Sequence, residues 1–490
     1  MNKLLSVVLA TMLVLFGTVV PVSAETVIGA DTTSRLAGQT SVAIAEAYNN
    51  NVSDEPMHQV SNISSSVTNI NTPQEATDTD NTAVMEKQQK AGPSRIASGG
   101  DTAYYLDSSG HVWAWGDGAR DELGIGTKGT QLNPSDTVNP VYGSSVPVEV
   151  PNLSNIVSIA AGGNTCYALD NGGHVWAWGD GTYGQLGNDM MATGNVFQNF
   201  YGSTVPVEVS KLSSIVSIAA GVSTGYALDS SGHVWAWGQG SGGQLGNQDG
   251  PTSSDIPIQI STLTDIGSIS ADAQGGEVFA FSSSGVVWAW GPFGSGIDAS
   301  GLLKLSIQAP VQLSNLKNIV AIAYEGFGDK GIWHASNGNA WGIKSADQLW
   351  YALDSSGQVW AWEFTGWQAG DGIKITPVNV SNFSNIVAIV GRGGNSYNSG
   401  YALDSSGHVL AWGDGTDNVF GNDGTVTKKS TPVQVSNISN IVGIAGNNIN
   451  CYALDNSGKV WAWGLNNSGQ LGNGTINNSS VPVQVLGLPK

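Results

Sequence analysis

Apolar and polar side chains alternate along this chain in short runs of period two, and one run returns throughout. In "YALDSSGHVWAWG", Tyr226 to Gly238, Tyr-Ala-Leu alternates as a strand and His-Val-Trp-Ala-Trp alternates again. Between them Asp-Ser-Ser-Gly supplies a type I turn with glycine at the left-handed position, so the run predicts a β-hairpin. Copies end at Gly116, Gly179, Gly238, Gly291, Glu363, Gly413 and Gly464. A third alternating segment follows each hairpin after a loop: "VPVEV" at 146–150 and 205–209, "IPIQI" at 256–260, "APVQL" at 309–313, "TPVNV" at 376–380, "TPVQV" at 431–435 and "VPVQV" at 481–485. Its proline is tolerated at the head of a strand, where little ladder bonding is lost. A fourth segment, "NIVSIAAG" and its variants, precedes each new tyrosine. Self-similarity at such a period means stacked units that cannot cover their apolar faces alone. Four strands in each of seven units predict an all-β protein, a seven-bladed β-propeller with four-stranded antiparallel blades. "SRIASGG" at 94–100 stands where "NIVSIAAG" would, and the array stops after "VPVQV". The N-terminal strand is therefore expected beside the C-terminal strands, closing the ring and hiding sheet edges.

Thirteen of the 17 tryptophans fall on the two repeat positions, from Trp113 and Trp115 to Trp461 and Trp463. Burying one removes about 150–250 Å² from water, worth roughly 4–6 kcal/mol gross. Left exposed, thirteen would make an apolar area far beyond that of soluble monomers. Both positions are expected between the blades.

Composition narrows the partners. The net charge is -20 with only 11% charged residues, a surface that repels phosphate backbones and excludes nucleic acid and anionic lipid. Residues 1–24 read as a secretory signal peptide: Lys3, an apolar run from Leu4 to Val20, Pro21, then Val22-Ser23-Ala24 before the cut. No second apolar run is long enough to span a bilayer. Residues 25–92 are rich in Ser, Asn, Thr, Gln and Asp and hold no tryptophan, a flexible low-complexity spacer. The propeller occupies 93–490, and the mature protein is expected to be secreted and monomeric. Cys166 and Cys451, at equivalent repeat positions, are too few for a disulfide framework and are expected as free buried thiols.

The units resemble regulator of chromosome condensation repeats over residues 94–490. The resemblance rests on Ala-Leu-Asp-x-x-Gly-x-Val-Trp-x-Trp-Gly and on a downstream Gly-Gln-Leu-Gly-Asn at 184–188, 243–247 and 469–473, relaxed to "ELGIG" at 122–126 and "VFGN" at 419–422. It implies the seven-bladed propeller. The family's archetype is a nuclear exchange factor for the GTPase Ran, bound to chromatin, so the resemblance also implies guanine-nucleotide exchange; the signal peptide and acidic surface oppose that, and no exchange wedge maps onto these residues. Exported bacterial propellers of the family, including a β-lactamase inhibitor that binds its enzyme with aromatic residues on one face, are the nearer functional likeness. The plant ultraviolet-B receptor shares the fold, but its Gly-Trp-Arg-His-Thr motif is absent. A quinone-dependent dehydrogenase propeller would carry Thr before the turn glycine and an adjacent cysteine pair; here Ser or Gly replaces the Thr and no such pair exists.

Candidate chemistry is sparse. His111, His174, His233 and His408 follow the turn glycine, one per blade, too far apart for bonds of about 2 Å to one metal ion. Asp107, Asp170, Asp229, Asp354, Asp404 and Asp455 open the turns, where aspartate caps its own turn amides. No catalytic constellation, cofactor site or metal cluster is predicted. The departures from the repeat say more. In an antiparallel meander the Asp-Ser-Ser-Gly turns share one face and the other hairpin connections share the opposite one. On that loop face the connections of blades 1 and 2 are long and carry Tyr142, Phe197, Phe200 and Tyr201, with Met190 and Met191. An insertion before the blade 5 hairpin carries Tyr324, Phe327, Trp333 and Trp341, with Trp367 beyond it. Long loops on rigid scaffolds carry function, and aromatics dominate interface energetics. These nine aromatics are the candidate partner-binding residues, against the alternative that those of blade 5 form a local mini-core; Trp350, abutting a strand, is expected to be structural. The expected function is non-catalytic binding of an extracellular or envelope protein. The alternative is carbohydrate or cell-wall binding through exposed tryptophan faces.

Overall fold

The computed structural model describes residues 94–489, apart from 191–201, 249, 274–275, 293–306, 326–331, 335–339, 343–348, 364–366, 369–371, 374, 376, 381–382, 393–398, 415–419, 423–427 and 448. All of these belong to one compact unit, Ala76–Lys490. The expected signal peptide and spacer lie outside the described residues, as do Phe197, Phe200, Tyr201 and Phe327.

Each repeat folds into its own antiparallel sheet, in chain order from the ring centre outwards. Blade 1 runs Ile96–Gly99, Thr102–Leu106, Val112–Asp117 and Tyr142–Glu149. Blade 2 runs Ile156–Gly162, Thr165–Asp170, Val175–Gly179 and Ser203–Glu208. Blade 3 begins at Ile215, blade 4 at Ile266, blade 5 at Ile319, blade 6 at Ile386 and blade 7 at Ile441. Seven blade sheets result, as the repeat predicts, with two further two-stranded ribbons, Ile332–His334 with Ala340–Gly342 and Trp367–Gln368 with Gly372–Ile373, and no helix occurs among the described residues.

Seven apolar clusters glue the sheets, one for each seam. Leu106, Val112 and Ala114 of blade 1 meet Ile156, Ile159 and Trp178 of blade 2, and the pattern repeats around the ring. The seventh cluster joins Ile96, Tyr105 and Trp115 of blade 1 to Tyr452, Leu454 and Val485 of blade 7, which closes the circle. The closing contact differs from sheet completion. The strand Ile96–Gly99 lies beside blade 7 as expected, yet it pairs with Thr102–Leu106 of its own blade. Among the described residues no strand is shared between blades, and the ring shuts by face-to-face packing.

The two tryptophans of a repeat part ways, which corrects the expectation that both are core. The second, as in Trp115, Trp178, Trp237 and Trp290, is fully buried. The first, as in Trp113, Trp176, Trp235 and Trp288, is half-buried and packs on the edge of a cluster. Antiparallel alternation would put both on one sheet face; the first lies nearer the turn end of the blade, where cover thins out.

The glycine that closes each run has a defined task. Gly116, Gly179, Gly238, Gly291, Gly413 and Gly464 all have φ between 95° and 115°, open only to glycine. At each, the register between third and outer strands slips before pairing resumes, as at Gly238 with Ser254 and Gln239 with Ser253. Blade 5 has Glu363 there, and among the described residues its outer strand pairs through Trp360 with Asn379 and Ala361 with Val378.

Candidate binding surface

The turn face is nearly uniform because one aspartate organises six of the seven turns. Asp229 Oδ1 accepts the Ser231 and His233 amides at 2.9 and 3.1 Å, and Oδ2 accepts the Trp235 indole N–H at 3.1 Å. The same pattern holds at Asp107, Asp170, Asp354 and Asp455. His111, His174 and His408 are exposed, as expected, and His233 is half-buried, each with Nδ1 3.0–3.4 Å from the turn carboxylate. The turn capping was legible from sequence; the indole bond was not. Blade 4 lacks the aspartate, and Ser282 Oγ accepts the Val286 amide instead. Among the described residues no three metal-ligating side chains gather, and Cys166 and Cys451 are buried and not disulfide-bonded.

These bonds give the turns an acid-sensitive term. Burial alone would raise each carboxyl, but the turn amides and the indole outweigh it and hold Asp107, Asp170, Asp229, Asp354 and Asp455 below the usual carboxylate range. A carboxyl lowered in the fold contributes stability above its ordinary value of about 3.9, lost as pH falls through the folded value. The melting temperature should therefore drop below about pH 4. Asp229→Asn should start lower at pH 7 and fall less steeply, which a pH series of thermal melts reads out.

The loop face is built on a recurring latch. Gln185, in the Gly-Gln-Leu-Gly loop of blade 2, offers one carbonyl to two donors: the Tyr167 hydroxyl of its own blade at 2.7 Å and the Trp237 indole of blade 3 at 2.9 Å. Gln244 does the same for Tyr226 and Trp290, and Gln470 for Tyr452 and Trp115 across the closing seam. Glu122 serves Tyr104 and Trp178. The loop then lies over the next blade's outer strand, Gly474 donating to Ser145 and Gly126 to Thr204. The sequence showed this motif, but its role joins residues some 50 positions apart and only the fold reveals it.

Above the latches, the blade 1 loop is braced by its own hydrogen bonds. Thr130–Gln131 extends the sheet by pairing with Tyr142 and Gly143. Asn133 Oδ1 accepts the Val141 amide, its Nδ2 donates to the Asn139 carbonyl, and Asp136 caps Val138 and Asn139. This scaffold presents Tyr142, 37% exposed, and Val138, 83% exposed. Blade 2 adds Tyr183 at 45% and Met190 at 72%. Arg120 of the blade 1 loop reaches Asp180 of blade 2 at 3.2 Å. Of the nine candidate aromatics, Tyr142 is on this face and exposed. Tyr324, Trp333, Trp341 and Trp367 lie in strands Ile319–Glu325, Ile332–His334, Ala340–Gly342 and Trp367–Gln368, and their side chains are outside the described part. Trp350 is buried against Phe279, ring centres 5.0 Å apart, a structural residue as expected. Sequence reasoning missed Val138 and Tyr183; the tyrosine stands where Gly242 and Ser468 occupy the equivalent loops, a departure that could have flagged it.

The comparisons with known proteins agree with this architecture. The family model described as regulator of chromosome condensation (RCC1) repeat matches residues 109–169, 172–228, 231–277 and 457–490, and a second model of that repeat matches 156–185 and 215–244. The mouse regulator of chromosome condensation is 23% identical over 359 residues, 70% of this chain and 79% of its own length. The mouse E3 ubiquitin-protein ligase HERC2 is 29% identical over 394 residues, 77% of this chain but only 7% of the ligase. Among solved structures, human WBSCR16 gives a TM-score of 0.57 at 17% identity, covering 77% of this chain and 94% of that one. Yeast RCC1 (Prp20), solved bound to Kap60, gives 0.56 at 19%, covering 82% and 87%. The chain therefore carries regulator of chromosome condensation repeats, matched over 109–169, 172–228, 231–277 and 457–490, on a propeller of packed four-stranded sheets.

Proposed function

We propose that this chain is an exported, non-catalytic propeller that binds an extracellular or envelope protein through the loop face of blades 1, 2 and 5. The observation that carries the reading is the contrast between the two faces. The turns repeat one hydrogen-bond pattern, while the loop face presents Tyr142, Val138, Tyr183 and Met190 on a connection braced by its own hydrogen bonds. A braced loop loses little freedom on binding, and tyrosine offers large rigid contact area. The signal-like N-terminus and the acidic, lysine-poor composition favour an exported protein over a chromatin-bound one. Yeast RCC1 (Prp20), which shares the fold, was solved bound to another protein, Kap60, and the catalytic names among the relatives belong to those longer proteins.

The test is capture from the native secretome. Tyr142→Ala with Tyr183→Ala should weaken partner capture by at least tenfold, since interface aromatics are worth about 1–4 kcal/mol each, with the melting temperature nearly unchanged. Trp333→Ala with Trp341→Ala should behave alike. Binding to purified glycans with no protein captured would replace the reading with carbohydrate recognition, and a large loss of stability in the blade 5 pair would mark those tryptophans as a mini-core.

A further inference from the structure

At three seams the latch residue is a glutamine, and at the seam between blades 1 and 2 it is a glutamate. Gln185, Gln244 and Gln470 each take, through Oε1, the backbone N–H two residues upstream, at 2.8, 2.7 and 2.8 Å. Glu122 repeats this contact, Oε2 accepting the Arg120 amide at 2.7 Å. Where glutamine has an NH2 group, Glu122 has a second oxygen, and the residue is only 2% exposed. An amide buried there is neutral at every pH; a carboxyl is neutral only while it keeps its proton.

The surroundings disfavour the ion. Within the blade 1 loop Asp117 repels it and Arg120 attracts it. Arg120, however, is largely exposed and already paired with Asp180 of blade 2. The Tyr104 hydroxyl is spent on Glu122's own carbonyl, and Cys166 of blade 2 faces that tyrosine. Asp101 stands close to Asp117. Next in sequence, Asp121 is 7% exposed, its Oδ1 has no partner among the described residues, and Lys128 is the cation acting on it. Its φ is 68°, at the position held by Gly184, Gly243 and Gly469 in the other loops. Two neighbouring buried carboxyls thus replace a glycine and an amide at one seam only.

We propose that the blade 1–blade 2 seam is a proton-dependent lock: a neutral Glu122 closes it, and losing that proton loosens this seam while the glutamine-latched seams stay shut. The site's electrostatics agree, burial foremost and Asp117 next pushing the Glu122 carboxyl up to about 8. A carboxyl raised in the fold gives stability that is complete below its ordinary value of about 4.3 and lost as pH rises through the folded value. The sign is opposite to that of the turn aspartates. The lock is a property of the ring and stands whether or not the loops above it bind a protein.

Glu122→Gln installs the residue the other seams already use, so it should fold. Its unfolding equilibrium constant should match the wild type near pH 4, then fall below it by up to tenfold per pH unit until about pH 8, and run parallel above. Hydrogen exchange, corrected for intrinsic rates, should show wild-type peptides around Tyr104 and Trp178 opening faster between pH 6 and 9 while those around Tyr226 and Trp290 do not; the variant should lose this difference. A pH-independent gap between the proteins, or equal opening at both seams, would overturn the lock. Asp121→Gly is the control: if it alone abolishes the pH dependence, the proton sits on Asp121 and the assignment to Glu122 is wrong.

Discussion

Trp237→Ala is expected to lower the free energy of unfolding by about 3–5 kcal/mol, the usual cost of emptying a large buried aromatic site. The indole is fully buried between blades 2 and 3, packed edge-on against Tyr167 with ring centres 5.6 Å apart, and its N–H reaches the Gln185 carbonyl. Gly225 offers no side chain to fill the gap, since a Cβ there would overlap the Trp237 ring. Trp237→Phe separates the terms: it keeps most of the apolar contact, and the Gln185 carbonyl retains the Tyr167 hydroxyl, so the loss should be about 1–2 kcal/mol. Trp235→Ala, two residues away, should cost less than Trp237→Ala, since that ring is half-buried. Urea unfolding of the three variants checks the order, and equal losses at 235 and 237 would contradict the division between core and edge positions.

Gly238→Ala, one methyl group, should cost about 2–4 kcal/mol. At φ 101° the backbone lies outside the regions open to L side chains, and an added Cβ would run into the Ser223 carbonyl oxygen. The chain must change conformation, and the pairs lost first are those beyond the slip, Gly238 with Ser254 and Gln239 with Ser253. Faster hydrogen exchange at these amides, with the Tyr226 and Ala236 pair unaffected, is the local signature. An alanine variant as stable as the wild type would mean the slip tolerates ordinary side chains.

The fold was readable because each repeat states it locally: alternation gives strands, Asp-Ser-Ser-Gly gives the turn, and seven copies demand a closed stack. Face-to-face closure was not readable. Whether Ile96–Gly99 pairs with its own hairpin or with blade 7 depends on which sheet edge is nearer, a long-range fact that alternation does not encode. The division of the tryptophan pair escaped for a similar reason, since burial is set by the neighbouring blade and not by spacing along the strand. At the candidate surface, sequence picked out Tyr142 from loop length, but Tyr183 sits in a loop whose motif is otherwise regular and needed the fold to show it exposed. The Glu122 substitution was visible in "ELGIG" as a relaxed motif; its meaning came from burial.

Because every sheet is one uninterrupted stretch of chain, a blade is also a portable wedge. Duplication or loss of about fifty residues between equivalent points would insert or remove a whole sheet without severing any strand from its partners. What such an event would disturb is the angular fit of the remaining wedges, so the ring's count of seven is held by how neighbouring faces meet and not by any thread running through them.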